Sequence, residues 1–487
     1  MALRDGDAER VITNSRIRPA VERADAIVVG GRCAGAAAAI ALARAGRHVV
    51  VLERARFGSD TLSTHLLFPA GIAEVDRLGA LGRVRELGFP EHREALVGGA
   101  GVTAQASYSP YNGIGYGACI RRPKFDAALA ETARVAGAEL RERVAVSGVV
   151  RTGGRVTGVR FEGRDGSRGE LRAPLVIGAD GRRSLIARET GSDRPHRWSE
   201  NQRACYFAYV EDERGGADRH VAAQWREGRE LGTAFPCDDG LLLVLLMPPL
   251  DRAGSFKADL EGEFRRTVAG IPGLAERVGA GRIATKVRSA TETTAYFRRS
   301  AGAGWALAGD AGHFKDPVTA QGMRDAMRFG RLLGEAAAPV LEDAAGLDRA
   351  VAGWERLRDH ECLETYQWTN VLACAEAITP LERELYEDVA ASPERTRELL
   401  DVFSRLRRPV EVMTTRRALR YTARALRRPD VDRREVLRVT ARGVATALRD
   451  AAERGRQRGI VTTFPARERS VRVPRTRPRS MESSSIT

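Results

Sequence analysis

The sequence predicts an α/β protein: a Rossmann-like parallel sheet, an antiparallel sheet inserted into it, and a helical C-terminal region. Three patterns predict it. Short unbroken apolar runs, Asp25–Val29 and His48–Leu52, flank an alanine-rich stretch with helical spacing, as expected of strands buried on both faces and joined by a crossover helix. Two later apolar runs, at 173–179 and 305–308, each lead into an aspartate beside a glycine. Between about Asp193 and Thr294 the pattern changes to short strand-like segments, and from about Ala345 it becomes helical.

The expected division is a flexible tail over 1–22, a first domain made of 23–192 and 295–345, and an inserted sheet domain over 193–294. A helical region over 346–453 and a basic, disordered tail over 454–487 follow. At 487 residues the chain exceeds one compact core, so several lobes are expected. The net charge of +15 says little about partners, because the chain holds only four lysines and its basic residues are nearly all arginine. The tail from Arg454 carries nine of those arginines against Glu468 and Glu482, about half of the excess. No aromatic interleaving or reader motif accompanies it, so nucleic acid is not an expected partner. The six cysteines lack CxxC spacing and the seven histidines lack metal-ligand spacing, which argues against a disulfide framework or a metal site. Without an apolar leader or a run long enough to span a bilayer, the expected location is cytoplasmic, with no membrane insertion.

The first βαβ unit is the start of the chemistry. Gly30-Gly31-Arg32-Cys33-Ala34-Gly35 sits between strand and helix, and the second strand closes on Glu53, 23 residues beyond Gly30. Glycines at such a turn let a pyrophosphate approach the helix N-terminus, and an acid at that distance accepts hydrogen bonds from ribose hydroxyls while repelling a 2′-phosphate. The fingerprint GxGxxG carries arginine at its second glycine. Arg32 answers this departure if its guanidinium pairs with a phosphate.

Asp180 in "GADGRRS" and Asp310 in "GDAGHFKDPVTAQGM" end two further strands about 130 residues apart. After Gly322 the apolar residues Met323, Met327, Leu333, Ala337 and Val340, with Gly330, recur at spacings of three and four, marking one helical face.

The ordered set "VVGGRCAG", "LER", "GADGRRS" and "GDAGHFKDPVTAQGM" resembles the para-hydroxybenzoate hydroxylase-like flavoprotein monooxygenases, a superfamily that also holds flavin-dependent halogenases and geranylgeranyl reductases. The resemblance spans roughly residues 22–345. It implies a glutathione-reductase-type FAD domain, with Asp310 on the ribityl chain and the helix after Gly322 aimed at the isoalloxazine ring. It adds the loop Ser59–Gly71, with Thr64 and His65, as the passage from adenine to flavin. It also adds Arg121 or Arg122 at the start of a helix lying along FAD. The expected cofactor-binding set is therefore Gly30, Gly31, Arg32, Ala34, Gly35, Glu53, Arg54, Thr64, His65, Arg121, Arg122, Asp180, Gly309, Asp310, Pro317, Gly322 and Met323.

His313, Lys315 and Pro317 are the expected catalytic residues, because they sit in the flavin-facing motif. Cys33 reads as a small filler of the turn, and Phe207, Tyr209, Trp225 and Phe235 as core of the inserted sheet. The resemblance implies oxygen insertion into a small organic substrate through a flavin C4a-hydroperoxide. No second glycine fingerprint appears, so the electron donor is NADPH or NADH docking transiently, or a separate flavin reductase. Reduction of an alkene, as in the geranylgeranyl reductases, is the alternative. Halogenation is the least expected alternative, since the tryptophans at 198, 225, 305, 354 and 368 do not pair as W-x-W-x-I-P. A monomer or homodimer is expected.

Overall fold

The computed structural model describes residues 21–59 and 63–458. The expected N-terminal tail up to residue 20, the loop residues Asp60 to Leu62 and the basic tail beyond Arg458 lie outside the described residues.

A six-stranded sheet forms the base of the fold. Its central members are β1 (Ala26–Val29), β2 (Val49–Glu53), β3 (Leu175–Gly178) and β4 (Trp305–Leu307), with α1 (Cys33–Arg44) crossing between the first two. All four pair in parallel, and the register sets Val29 beside both Leu52 and Gly178, and Gly178 beside Leu307. The sheet's carboxyl edge therefore holds the residues that follow each strand: Gly30, Glu53, Asp180 and Asp310. Every residue of β1 and β2 is buried, which explains why the two strands are apolar throughout except at Glu53.

Helix α2 (Gly322–Ala337) lies against α1 at backbone distance. A Cβ at Gly330 would stand 2.3 Å from Ala34 O, and one at Gly334 2.7 Å from Ala38 O. These two glycines fix how closely the N-termini of α1 and α2 approach the same edge of the sheet. Met323, Met327, Gly330, Leu333 and Ala337 are all buried, as the spacing predicts.

A second sheet has seven strands, in the order Arg288–Ala290, Cys205–Glu211, Leu241–Leu246, Glu230–Pro236, Val221–Glu227, Glu94–Gly99 and Val102–Ser107. Its last two strands come from outside the expected 193–294 insertion. They join through a parallel pairing of Val221–Arg226 with Glu94–Gly99. The apparent continuity of 23–192 as one domain thus breaks at residues 94–107, because long-range pairing, not sequence proximity, assigns those strands.

The helical region begins at Ala344 with a helix reaching Leu372. The helices Pro380–Ala390 and Pro393–Phe403 pack beside the strand Val102–Ser107, and the Tyr386 ring fills the space left by Gly99, where an added Cβ would meet it at 2.5 Å. The final helix runs Arg433–Arg458, so the first residues of the expected basic tail are helical, and Arg454 hydrogen-bonds Gln367. At the other end, Glu22–Arg23 form a short strand on Leu171–Arg172, so the expected tail gives way to structure at Glu22. Among the described residues no helix is long and apolar enough to cross a membrane.

Candidate functional site

A groove of about 1000 Å³ runs along the sheet's carboxyl edge, from Glu53 past the two helix N-termini to Phe314 and Ala320. Seven cationic side chains line it against four carboxylates, a balance that suits an anionic ligand.

The α1 end is shaped by steric necessity. Gly30 has φ +97°, and a Cβ there would stand 2.4 Å from Ala179 O; a Cβ at Gly35 would stand 1.8 Å from Gly30 O. Neither position accepts a side chain. The Gly31 amide donates to Glu53 Oε2 at 2.9 Å and the Ala55 amide to Oε1 at 3.0 Å, so the carboxylate is locked at the groove wall with lone pairs to spare. No side chain caps α1, leaving the amides of its first turn open to the groove. Arg32 is tethered by Nη2 to Ser59 Oγ at 2.9 Å, while its buried Nη1 has no hydrogen-bond partner and lies 3.5 Å from Asp126. Arg122 holds Asp126 through three bonds of 2.9 to 3.0 Å. Burial pushes the Cys33 thiol up to about 12, so it is inert packing at the turn.

In the middle of the groove the two aspartates differ. Asp180 accepts from Ser184 Oγ at 2.5 Å and from the Leu185 and Ile186 amides at 2.6 and 3.3 Å, so its carboxylate organises the start of the next short helix. Asp310 has no side-chain hydrogen bond among the described residues, and burial raises its carboxyl above the ordinary range against the pull of Arg182 and Arg122. Gly309 has φ +58°, and a Cβ there would press within 2.8 Å of Ala34 Cβ.

The α2 end is built differently. Asp316 accepts from the Val318 amide at 2.9 Å and from Asn201 Nδ2 at 3.0 Å, and burial pushes its carboxyl up to about 6. Pro317 follows, Ala320 turns the chain with φ +52°, and Gln321 Nε2 ties the turn to Phe403 O at 2.8 Å. Thr319 Oγ1 and Thr369 Oγ1 meet at 2.8 Å, so the helical region braces this loop from behind. An added Cβ at Gly322 meets nothing within 4 Å: protein packing does not require glycine here, and the space opens onto the groove. Met323 Sδ accepts from Ser63 Oγ at 3.2 Å.

Most of the expected residues come together. Gly30, Arg32, Ala34, Glu53, Arg54, Thr64, Arg122, Asp180, Gly309, Asp310, Lys315, Pro317, Gly322 and Met323 all line the groove. Gly31 and Gly35 lie just behind its surface, shaping the turn. Three expected residues face elsewhere. His65, fully buried with φ +57°, donates from Nδ1 to Ser63 O at 2.7 Å and accepts at Nε2 from Tyr209 Oη at 2.9 Å. Burial, with Arg122 nearby, lowers its pKa to about 3, so it is a neutral strut between the loop and the second sheet. Arg121 points to the second sheet, where Asp238 and Asp239 hold it. His313 stacks on Phe297 with ring centres 3.9 Å apart, donates from Nδ1 to Tyr296 O, and lies one layer behind the groove.

Lys315 bridges that layer and the groove. Its Nζ donates to His313 Nε2 at 3.0 Å and to Asp325, and its side chain is almost wholly buried. Burial alone would raise the Asp325 carboxyl, but Lys315, Arg405 and Arg324 hold it well below the ordinary range. His313, Asp325 and Cys362 bring three ligand atoms within 4.8 Å of one another, and the Lys315 ammonium bonds two of the three, His313 and Asp325.

Sequence reasoning missed Arg182, Arg183, Tyr296 and Phe314, which also line the groove. The arginines stood next to Asp180 in a motif already noted, whereas Tyr296 and Phe314 belong to a small three-stranded sheet that no periodicity announces.

The groove fits a dinucleotide on three counts: glycine turns that would clash with any Cβ, an orphaned guanidinium nitrogen on Arg32, and an unpartnered carboxylate on Asp310. Comparison with known proteins agrees. Residues 23–214 match the family model described as an FAD binding domain. Digeranylgeranylglycerophospholipid reductase 2 of Methanopyrus kandleri is 30% identical over 345 residues, 68% of this chain and 82% of the reductase. Among solved structures, a flavoprotein/dehydrogenase of Cytophaga hutchinsonii superposes with a TM-score of 0.68 at 20% identity, covering 79% of this chain and 93% of that one. A myxobacterial chondrochloren halogenase gives 0.65 at 22% identity, covering 83% and 97%. The chain belongs to the superfamily that unites FAD-dependent monooxygenases, flavin-dependent halogenases and geranylgeranyl reductases, and it is an FAD-dependent enzyme.

Proposed function

We propose that this enzyme reduces a carbon–carbon double bond in an apolar organic substrate, with electrons drawn from NADPH or NADH. The observation that carries the reading is Lys315. Alkene reduction needs a hydride and then a proton on the neighbouring carbon. Among the described residues lining the groove, Lys315 is the one lysine; its Nζ rests on His313 and Asp325 just behind the wall, and in this reading it passes its proton into the groove past Pro317. The arginines around it do not release protons at neutral pH. The 30% identity to a reductase over 82% of that protein's length supports the same reading.

In this reading Glu53 takes the adenosine ribose, and Arg32 with the open amides of α1 takes the pyrophosphate. Asp310 accepts from the ribityl chain, which passes in the space Gly309 leaves free. The N-terminus of α2 would lie beside the flavin ring, where its positive dipole end would favour negative charge on the ring. Bound FAD supplies the hydride. Pro317 and Ala320 would shape the loop at the ring end, backed by the buried core of Phe207, Phe235 and Val318.

A second reading is oxygen insertion into a small organic substrate, which the same FAD groove would serve. One experiment separates the two. The FAD-loaded enzyme is reduced anaerobically with NADPH or NADH and offered polyprenyl alkenes and small aromatic compounds, first without oxygen and then with it. Anaerobic reoxidation by an alkene, with saturation of the bond, supports the proposal. Reoxidation only with oxygen, with a product heavier by one oxygen atom, overturns it in favour of the second reading. Lys315→Met should retain bound FAD and lose alkene turnover by roughly a hundredfold or more.

A further inference from the structure

Behind Lys315 lies a second cavity, of about 440 Å³, between the start of α2, the long helix Ala344–Leu372, the segment Arg405–Pro409 and the final helix. Its wall carries an unbalanced set of charges. One carboxylate, Asp325, serves three buried cations: Lys315, Arg324 through Nη1 at 2.7 Å, and Arg405 through Nη2 at 3.2 Å to each oxygen. Two positive charges are left without a counter-charge. The neighbouring acids are already committed, Glu361 to Arg328 at 3.0 and 3.1 Å and Glu364 to Arg408 at 2.7 Å. Arg454 enters the cavity from the last helix with no carboxylate partner among the described residues, bonded instead to the neutral Gln367.

The polar atoms left over point to what is missing. Arg324, only 9% exposed, has its Nε without an acceptor, and so has Arg405. Gln457 Oε1, on the same wall, has no donor. Excess charge and orphaned donors in a buried setting are costly unless a ligand answers them, and guanidinium groups pair two-pronged with tetrahedral oxyanions. Hydrogen phosphate carries two negative charges and one O–H, so it offsets two of the three surplus cations, Arg454 included, and can donate to the orphaned acceptor; a monoester dianion offsets the same charge without that donation.

We propose that this cavity binds a phosphate dianion, free or as the end group of an organic monoester, between Arg324, Arg405 and Arg454. The site is separate from the cofactor groove but shares a residue with it: an anion that engages Arg324 and Arg405 leaves Asp325 to Lys315. The proposal does not depend on which reaction the flavin performs.

Calorimetric titration of the FAD-loaded enzyme with orthophosphate, at ionic strength held constant with chloride, tests it. Saturable binding is expected, weakened roughly tenfold or more in Arg405→Gln and in Arg454→Gln. The second variant lies on a half-buried helix end and keeps the test valid if the first fails to fold. Glycerol phosphate binding more tightly than orthophosphate assigns the site to an organic phosphate, and equal or weaker binding assigns it to the free ion. The proposal is overturned if no saturable heat appears up to roughly ten-millimolar phosphate, or if Arg454→Gln binds as well as the unaltered enzyme.

Discussion

Two helix N-termini meet one groove, and they are built on opposite principles. The turn before α1 is made by exclusion, since Gly30 and Gly35 leave no room for a side chain. The turn before α2 is made by tethering, through a buried aspartate, a proline, an alanine held at positive φ and a glutamine tied to the helical region. The first turn needs only its own neighbours. The second depends on residues from as far away as Asn201, Thr369 and Phe403. The α1 end of the groove is thus rigid by local sterics, while the α2 end takes its shape from three other parts of the chain.

Substitutions can break this contrast or sharpen it. The largest effect is expected at Gly35→Ala, which puts a Cβ 1.8 Å from Gly30 O. Thermal unfolding should show a loss of roughly 3 kcal/mol or more together with loss of bound FAD. A variant with unchanged melting would show that the first turn yields after all.

At the tethered turn the test is pH. Asp316 is raised in the folded protein to about 6, so between about pH 4 and 6 the native state binds more protons than the unfolded chain. Its contribution therefore falls as pH rises through that window and stays unfavourable above it. Asp316→Asn removes this dependence and keeps one amide oxygen that can still accept from the Val318 amide or from Asn201 Nδ2. Denaturant unfolding should find the variant more stable at pH 7 by up to about 3 kcal/mol, with the difference gone near pH 4. Equal stability at both pH values would remove the buried charge from the account.

Between the two turns, Asp310→Ala should split two readouts. FAD binding followed by fluorescence should weaken roughly tenfold to a hundredfold, because a charged acceptor is lost. The cofactor-free protein should melt no lower than before, since the lost carboxylate has no partner of its own. Full FAD content in this variant would contradict the assignment of the groove. The smallest effect is expected at Ala320→Gly, where relief of the φ +52° strain outweighs the added chain entropy by about 0.5 kcal/mol, measurable as a slightly raised melting temperature.

The same contrast explains what the sequence made legible. Gly30, Gly35, Glu53 and the strand-ending Asp180 and Asp310 act within a few residues of the strands that carry them, so spacing alone finds them. The direction of a side chain is settled by partners far away in sequence. His65 turns inward to meet Tyr209, Arg121 turns to Asp238, and His313 stacks on Phe297. Nothing in their own segments announces those partners. Strand Glu94–Gly99 was hidden for the same reason, since its pairing with Val221–Arg226 spans more than a hundred residues. The arginine-rich composition, uninformative as a total, becomes meaningful only where Asp325 is left facing three cations.

The parallel sheet places β4 beside β3 although the two are separated by well over a hundred residues of chain. On a ribosome, the glycine turn and Glu53 emerge long before Asp310, Gly322 and the bracing Phe403 exist. A growing polypeptide can therefore form the Gly30–Glu53 half of the groove early but complete it with Asp310 and Gly322 only late in synthesis.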